Sequence, residues 1–143
     1  MKIAVVTETY PPEVNGVALT VHTLVSQMAA DGHELLLVRP RQPGVSAMPL
    51  AQPISELLVA GAALPKYPGL RFGFPAGRQL AWHFGARRPD AVYVATEGPL
   101  GWSAVRAASR LGIPVATGFH TRFDAYAGAY GLGIALEHFG VPL

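Results

Sequence analysis

The sequence predicts an α/β fold built on a doubly wound parallel sheet, and three observations carry that prediction. Short apolar runs at 2–6 (KIAVV), 34–38 (ELLLV) and 91–95 (AVYVA) are continuous rather than alternating, as expected of strands buried on both faces. Between them lie stretches whose apolar residues recur at helical spacing, so strands and helices alternate along the chain. Glycine and proline punctuate the boundaries between the two kinds of segment.

The elements follow in order. The first strand is Lys2–Val6, and Val17, Val21, Leu24, Val25 and Met28 then mark one face of a helix. Asn15 is its predicted N-cap and Gly32 its left-handed stop. Glu34–Val38 is the second strand, closed by Arg39–Pro40. A loop containing Pro43, Gly44, Pro49 and Pro53 leads to a third strand at Glu56–Ala60. Within Pro65–Pro75, Leu70–Phe74 reads as a short extra strand. Gly77–Ala86 reads as a helix and Ala91–Ala95 as the next strand. Pro99 suits the first turn of a helix through Leu111, with Leu100, Ala104, Ala108 and Leu111 inward and Arg106 and Arg110 in water. Gly112 ends that helix and Pro114–Gly118 forms the last strand.

Right-handed crossovers between parallel strands favour the sheet order 3-2-1-4-5, without counting the short extra strand. In that Rossmann-like arrangement the order reverses between the first strand and Ala91–Ala95, opening a crevice at the carboxyl ends of those strands. Topology alone thus gathers Glu8, Asn15, Gly16, Glu97 and His120 around one cleft.

Composition bounds the function. A chain of 143 residues suits one domain. Half the residues are hydrophobic and 14% are charged, which argues for a packed core and against disorder. The formal charge is +2, and the nine arginines and two lysines are scattered, so the footprint of a nucleic-acid-binding surface is missing. There is no cysteine, which removes disulfides and thiolate metal sites. The start of the chain reads as a strand rather than a leader, and no run approaches the ~18 apolar residues of a membrane span. A cytoplasmic protein is expected.

The candidate chemistry sits at the carboxyl ends of the strands. In TETYPPEVNGV (7–17) a strand meets a helix N-terminus, where free N–H groups and the helix dipole suit a phosphate. The loop has one glycine, no lysine and two prolines, so it fits neither G-x-G-x-x-G nor the P-loop. It suits one brief anion contact, or is a plain turn in which Gly16 relieves strain. Glu97 precedes a second helix start; it can bind sugar hydroxyls, accept a proton or cap the helix. Glu97 with Asp124 would also be a carboxylate pair of the glycosidase kind, although nothing in the sequence sets their separation. His120 ends the last strand, with Thr121, Arg122 and Asp124 beside it. A neutral imidazole both donates and accepts, so His120 is the candidate for polar work on a substrate; the bland alternative is a ring that ties down its own loop. No H-E-x-x-H pair occurs among the five histidines, and no metal site is expected. Tyr126 and Tyr130 either line an acceptor pocket or pack.

The segments TETYPPEVNGVALTVHTL, YPGLRFGFP, RPDAVYVATEGPLGWSAVRAASRLGIPVATGFHT and FDAYAGAYGLG resemble, in order and spacing, the N-terminal domain of retaining GT-B glycosyltransferases of the family 4 type. The similarity runs to about Gly133. It implies an incomplete N-terminal, acceptor-side domain of a GT-B architecture, most like bacterial enzymes that transfer mannose or glucose from a nucleotide sugar to lipid or glycan acceptors. By resemblance, Asn15–Gly16–Val17 approaches the donor phosphate and acceptor, and His120 contacts the transferred sugar. Glu97, Thr121, Arg122 and Asp124 would lie along the same cleft. The family's usual pair of adjacent glycines is here Asn15–Gly16. Its nucleotide-binding domain, with two glutamates separated by seven residues, has no counterpart, and Ile134–Leu143 fits the pattern poorly.

The expected function is therefore the acceptor-side part of a hexosyltransferase using a GDP-mannose or UDP-glucose type donor and no cofactor, with the isolated chain inactive. A fragment, a truncated frame or half of a split enzyme would each account for the missing domain. The alternative is a non-catalytic binding or assembly module that pairs with a separate donor-binding subunit or with itself. No nucleic acid is expected as a partner, and contact with the inner face of a membrane would be peripheral.

Overall fold

The computed structural model describes residues 1–42, 54–63 and 71–118. Five strands form one parallel sheet: β1 (Lys2–Val6), β2 (Glu34–Pro40), β3 (Ile54–Val59), β6 (Ala91–Val94) and β7 (Val115–Thr117), in the order β3-β2-β1-β6-β7. The predicted order and its reversal beside β1 are both present. The remaining strands, β4 (Gly61–Ala63) and β5 (Arg71–Gly73), pair antiparallel with each other outside the main sheet. The extra strand foreseen at Leu70–Phe74 is thus β5, with Leu70 outside the described residues. The helices are α1 (Gly16–Ala30), α2 (Gly77–Ala86) and α3 (Pro99–Arg110).

Side chains alternate across the sheet, because successive residues of a strand point to opposite faces. Ala4 and Val6 of β1, Val38 of β2 and Val92 and Val94 of β6 join Leu80 and Phe84 of α2 and Leu100, Ala104, Ala107 and Ala108 of α3 in one core. Val5, Leu35 and Leu37 turn the other way and pack with Val21 and Val25 of α1 and with Tyr10. Central strands covered on both sides need apolar residues at every position, which is why KIAVV and ELLLV do not alternate.

The helix ends are written in local chemistry. The Asn15 side chain accepts from the Ala18 N–H at 2.8 Å, capping α1 as predicted. At the far end Gly32 has φ +93°, its N–H donates to Ala29 O at 3.1 Å, and the His33 N–H donates to Met28 O at 3.1 Å. That is a Schellman ending, and it needs a residue that tolerates the left-handed region. Helix α3 ends the same way through Gly112 (φ +69°), with Gly112 N–H to Ser109 O and Ile113 N–H to Ala108 O. Here Leu111 is the C-cap rather than a helical residue, and it is only half-buried.

The third strand starts two residues earlier and ends one earlier than Glu56–Ala60. Its register against β2 runs from Leu35↔Ile54 to Pro40↔Val59, and the Ala60 carbonyl accepts from Phe74 N–H as the chain leaves the sheet. Proline at 53 marked a loop in the sequence, but pairing with β2 claims the residue immediately after it. Likewise Ala95 follows β6 rather than belonging to it, although its N–H still donates to Val6 O at 2.8 Å.

Phe84 is fully buried between the sheet and α3, whereas Trp82, two residues away on α2, is 68% exposed. Phe84→Ala is expected to lower unfolding free energy by about 3–5 kcal/mol through lost burial and a residual cavity, and Trp82→Ala by no more than about 0.5 kcal/mol. Urea unfolding midpoints of the two variants check the contrast.

Candidate functional site

The crevice at the topological switch point is bordered by the loop after β1 and the loop after β6. The first loop continues the sheet before it turns: Thr7 N–H donates to Val38 O at 3.0 Å. The Thr7 hydroxyl then bonds Thr9 O at 2.7 Å, folding the chain back on itself. Asn15 does two jobs at once. While its oxygen caps α1, its amide nitrogen donates to Thr9 Oγ1 at 2.8 Å, and the Thr9 hydroxyl donates in turn to the Glu13 carboxylate. This relay ties the loop to the start of the helix. The Pro11–Pro12 peptide in its middle is cis.

Gly16 opens α1 with nothing within 4 Å of where a Cβ would stand, and its φ is not positive. The reading of Gly16 as a relief of strain is therefore corrected, since an L residue could adopt this backbone; what the glycine leaves is open space above the first turn. Val17 is half-buried, its side chain packed against the core on the α1 face. Glu97 is half-buried between β6 and α3. The N-cap of α3 is Gly98, one residue later. His120, Thr121, Arg122 and Asp124 lie outside the described residues, as do Tyr126, Tyr130 and the segment Ile134–Leu143.

Two buried polar assemblies underlie the crevice. The first is Glu8, 2% exposed and placed where both loops meet. Its carboxylate accepts from Gly73 N–H of β5 at 2.9 Å, from the Thr96 hydroxyl at 3.2 Å and from Gly101 N–H of α3 at 3.4 Å. Its own N–H donates to Thr96 Oγ1 at 2.9 Å. Sequence reasoning put Glu8 at the cleft but assigned it no role. The second assembly is ionic: Arg39 Nε meets Glu56 Oε2 at 2.9 Å, and the Arg39 guanidinium lies 5.6 Å from the centroid of the Tyr10 ring. The Tyr10 hydroxyl is 3.0 Å from His22 Nδ1. Sequence reading took Arg39 only as the close of a strand; the one signal available was a charged residue directly after a strand buried on both faces.

Burial disfavours the charged form of a carboxyl group, and that dominates at both loop glutamates. Glu8 is pushed up to about 7 by desolvation, against the lowering effect of its bonds from Gly73, Gly101, Thr96 and Gly98. Glu13 is pushed up to about 6 by burial, opposed by the Thr9 hydroxyl and by Arg71. Burial also raises Tyr10, with Arg39 acting in the opposite sense. Carboxyls that titrate near neutrality can give or take a proton, but neither of these two is open to solvent. Among the described residues no group of three or more His, Cys, Asp or Glu side chains could hold a metal ion, and no helix is long and apolar enough to cross a membrane.

These shifts fix a sign for stability against pH. The folded chain holds the Glu8 proton more tightly than the unfolded chain, whose value is near 4.5, so the contribution is full below about 4.5 and is lost as pH rises to about 7. Glu13 adds a slope of the same sign between about 4.5 and about 6. Between pH 5 and 7.5, wild type is expected to lose about 2 kcal/mol more stability than Glu8→Gln, at ~1.4 kcal/mol per pKa unit. Urea unfolding of both proteins at the two pH values measures this difference, and equal slopes would rule out a titrating Glu8.

Comparison with known proteins places this geometry. Residues 14–139 match the family model of Glycosyltransferase Family 4. A GDP-mannose-dependent alpha-mannosyltransferase of Mycolicibacterium smegmatis is 32% identical over 139 residues, covering 94% of this chain and 36% of the relative. An alpha-monoglucosyldiacylglycerol synthase of Streptococcus pneumoniae is 28% identical over 126 residues, covering 88% of this chain and 28% of that protein. The chain thus spans about a third of the length of the curated relatives it matches. Among solved structures, the UDP-GlcNAc 2-epimerase of Methanocaldococcus jannaschii superposes with a TM-score of 0.56 at 13% identity, covering 97% of this chain and 37% of that one, which shows a shared fold. With the matched region taking in all three helices and every strand after β1, the chain belongs to Glycosyltransferase Family 4.

Proposed function

We propose that this chain is the acceptor-side wall of a retaining hexosyltransferase that moves mannose or glucose from a nucleotide sugar to a lipid or glycan acceptor. The observation that carries the reading is the family match over residues 14–139, which takes in Asn15, the first turn of α1 and the loop after β6. The printed activities of the relatives, GDP-mannose-dependent mannosyl transfer and glucosyl-lipid synthesis, support the donor and acceptor classes. The share of the relatives that the chain spans supports a division of labour, in which a second domain or a separate subunit holds the nucleotide. On this reading the reaction takes place on the cytoplasmic side, with at most peripheral contact to a membrane.

Each residue then has a task. Asn15 holds the first turn of α1 in place, and the backbone of Gly16 and Val17 meets the donor phosphate there, where a positive helix end favours an anion. His120 contacts the transferred sugar, and Glu97, Thr121, Arg122 and Asp124 line the cleft for hydroxyl groups. Charge builds on the leaving phosphate in such a transfer. Helix N-termini stabilise it by preorganised dipoles, which cost no reorganisation during the reaction. This chain supplies one part of that stabilisation, so the 143 residues alone are expected to turn over little or no nucleotide sugar.

The test joins the chain to a donor-binding part. We would replace the matching third of the Mycolicibacterium smegmatis mannosyltransferase with this chain and assay hexose transfer from GDP-mannose and UDP-glucose to a lipid extract. Transfer by the chimera but not by the isolated chain is the expected result. A folded chimera with no transfer from either donor would overturn the reading. In the active chimera, His120→Ala is expected to lower kcat by roughly a hundredfold with little change in Tm; retained activity with a lowered Tm would assign His120 to holding its loop.

A further inference from the structure

Helix α3 starts without a side-chain cap from its own N-cap residue. N-cap positions favour Ser, Thr, Asp or Asn, whose side chains accept from the N–H of the third helical residue. Here the N-cap is Gly98, which has no side chain, and that third residue is Gly101. The backbone gives no reason for glycine, because Gly98 has φ −84° and ψ −177°, a conformation open to any residue. Space gives the reason: a Cβ on Gly98 would stand 1.9 Å from Glu8 Oε2 and 2.0 Å from Glu8 Oε1. The volume of an ordinary cap side chain is already filled by a carboxylate from the loop after β1, and it accepts from Gly101 N–H as the cap would.

We propose that Glu8 is a positioning residue of the crevice: an N-cap for α3 lent from the loop after β1, whose second oxygen holds β5 through Gly73. One side chain thereby joins the β1–α1 loop, β5 and the first turn of α3 into one wall. The surroundings are suited to an acceptor-only group, since Gly73 N–H, the Thr96 hydroxyl and Gly101 N–H all donate toward it. An amide in its place keeps only part of this set. With its oxygen on Gly73 N–H, a shorter bond than that from Gly101, its nitrogen donates to Thr96 Oγ1 and confronts Gly101 N–H with a second donor. The arrangement also leaves α3 with its N-terminal charge already answered from within the protein, so a bound anion finds its free helix end at α1. What the wall serves rests on the acceptor-side reading, but the joint itself does not.

The test reads backbone amides of the 143-residue chain by hydrogen exchange and NMR, so it is independent of turnover. In Glu8→Gln, Gly101 is expected to lose roughly ten- to a hundredfold of its protection while Gly73 keeps its own, the scale of one charge-assisted bond. In Glu8→Ala both amides lose protection while those of β1 and β2 are unchanged. Adding Gly98→Asp to Glu8→Ala supplies a conventional cap and is expected to restore Gly101 but not Gly73, a pattern that a general loss of stability cannot produce. The Gly73 and Gly101 amide shifts of wild type should also titrate together near neutrality and stop doing so in Glu8→Gln. Should Glu8→Ala fail to fold, Gly98→Ala displaces the carboxylate without removing it, and loss of protection at both amides is again expected. Protection that falls evenly across the sheet, or stays at Gly101 in Glu8→Gln, would overturn the proposal, whereas an inactive chimera would count only against the transferase reading.

Discussion

The geometry of the crevice depends on one buried carboxylate. Glu8 stands at the end of the central strand, where the sheet order reverses, and bonds to β5, to the loop after β6 and to the first turn of α3. Burying a charged group without partners is costly, and the cost falls only when several donors converge on it. Four donors do so here, the N–H groups of Gly73, Gly98 and Gly101 and the Thr96 hydroxyl, and their convergence requires the loop after β1, β5 and the start of α3 to meet at one point. A folding error that misplaced any of them would leave the carboxyl in an apolar core with an open valence. The same residue is thus both an expense of the fold and a constraint that selects one arrangement of its loops.

Around that joint the architecture is conventional in its physics. Two apolar layers sandwich the strands, one packed on α2 and α3 and the other on α1. Alanines on the inner face of α3 let that helix lie close to β6, and both α1 and α3 end in Schellman turns whose glycines take the left-handed conformation. The polar loop after β1 is held by its own relay from Asn15 through Thr9 to Glu13. The two glutamates of this loop therefore have different duties: Glu13 makes the loop rigid within itself, and Glu8 fastens it to the rest of the wall.

The chain belongs to Glycosyltransferase Family 4, and its sheet order reverses between β1 and β6. Brief anion contact at α1 fits a first turn that is capped by a neutral amide and left open above Gly16. Neither the three-glycine fingerprint nor the lysine of a P-loop is present, so nothing in this wall is built to wrap a whole pyrophosphate.

Much of this was legible in the residues alone. Apolar runs, helical periodicity and Gly/Pro punctuation determined the strand and helix order, the sheet order 3-2-1-4-5, the Asn15 cap and the two glycine stops, because each rests on local backbone chemistry or on the handedness of crossovers. The placement of Asn15, Gly16 and Glu97 beside one crevice followed from the same topology. Tertiary structure alone decided what Glu8, Arg39 and Gly98 do. The partners of Glu8 lie 65 to 93 positions away in the chain, and no local pattern encodes a bond over that distance. Gly98 reads as an ordinary loop glycine until the carboxylate from β1 is seen to occupy the space its side chain would need. Arg39 likewise reads as the polar end of a strand until β3 brings Glu56 alongside it. Local segments could be inferred because their causes are local; the joint between them could not, because it exists only when separate segments are packed together.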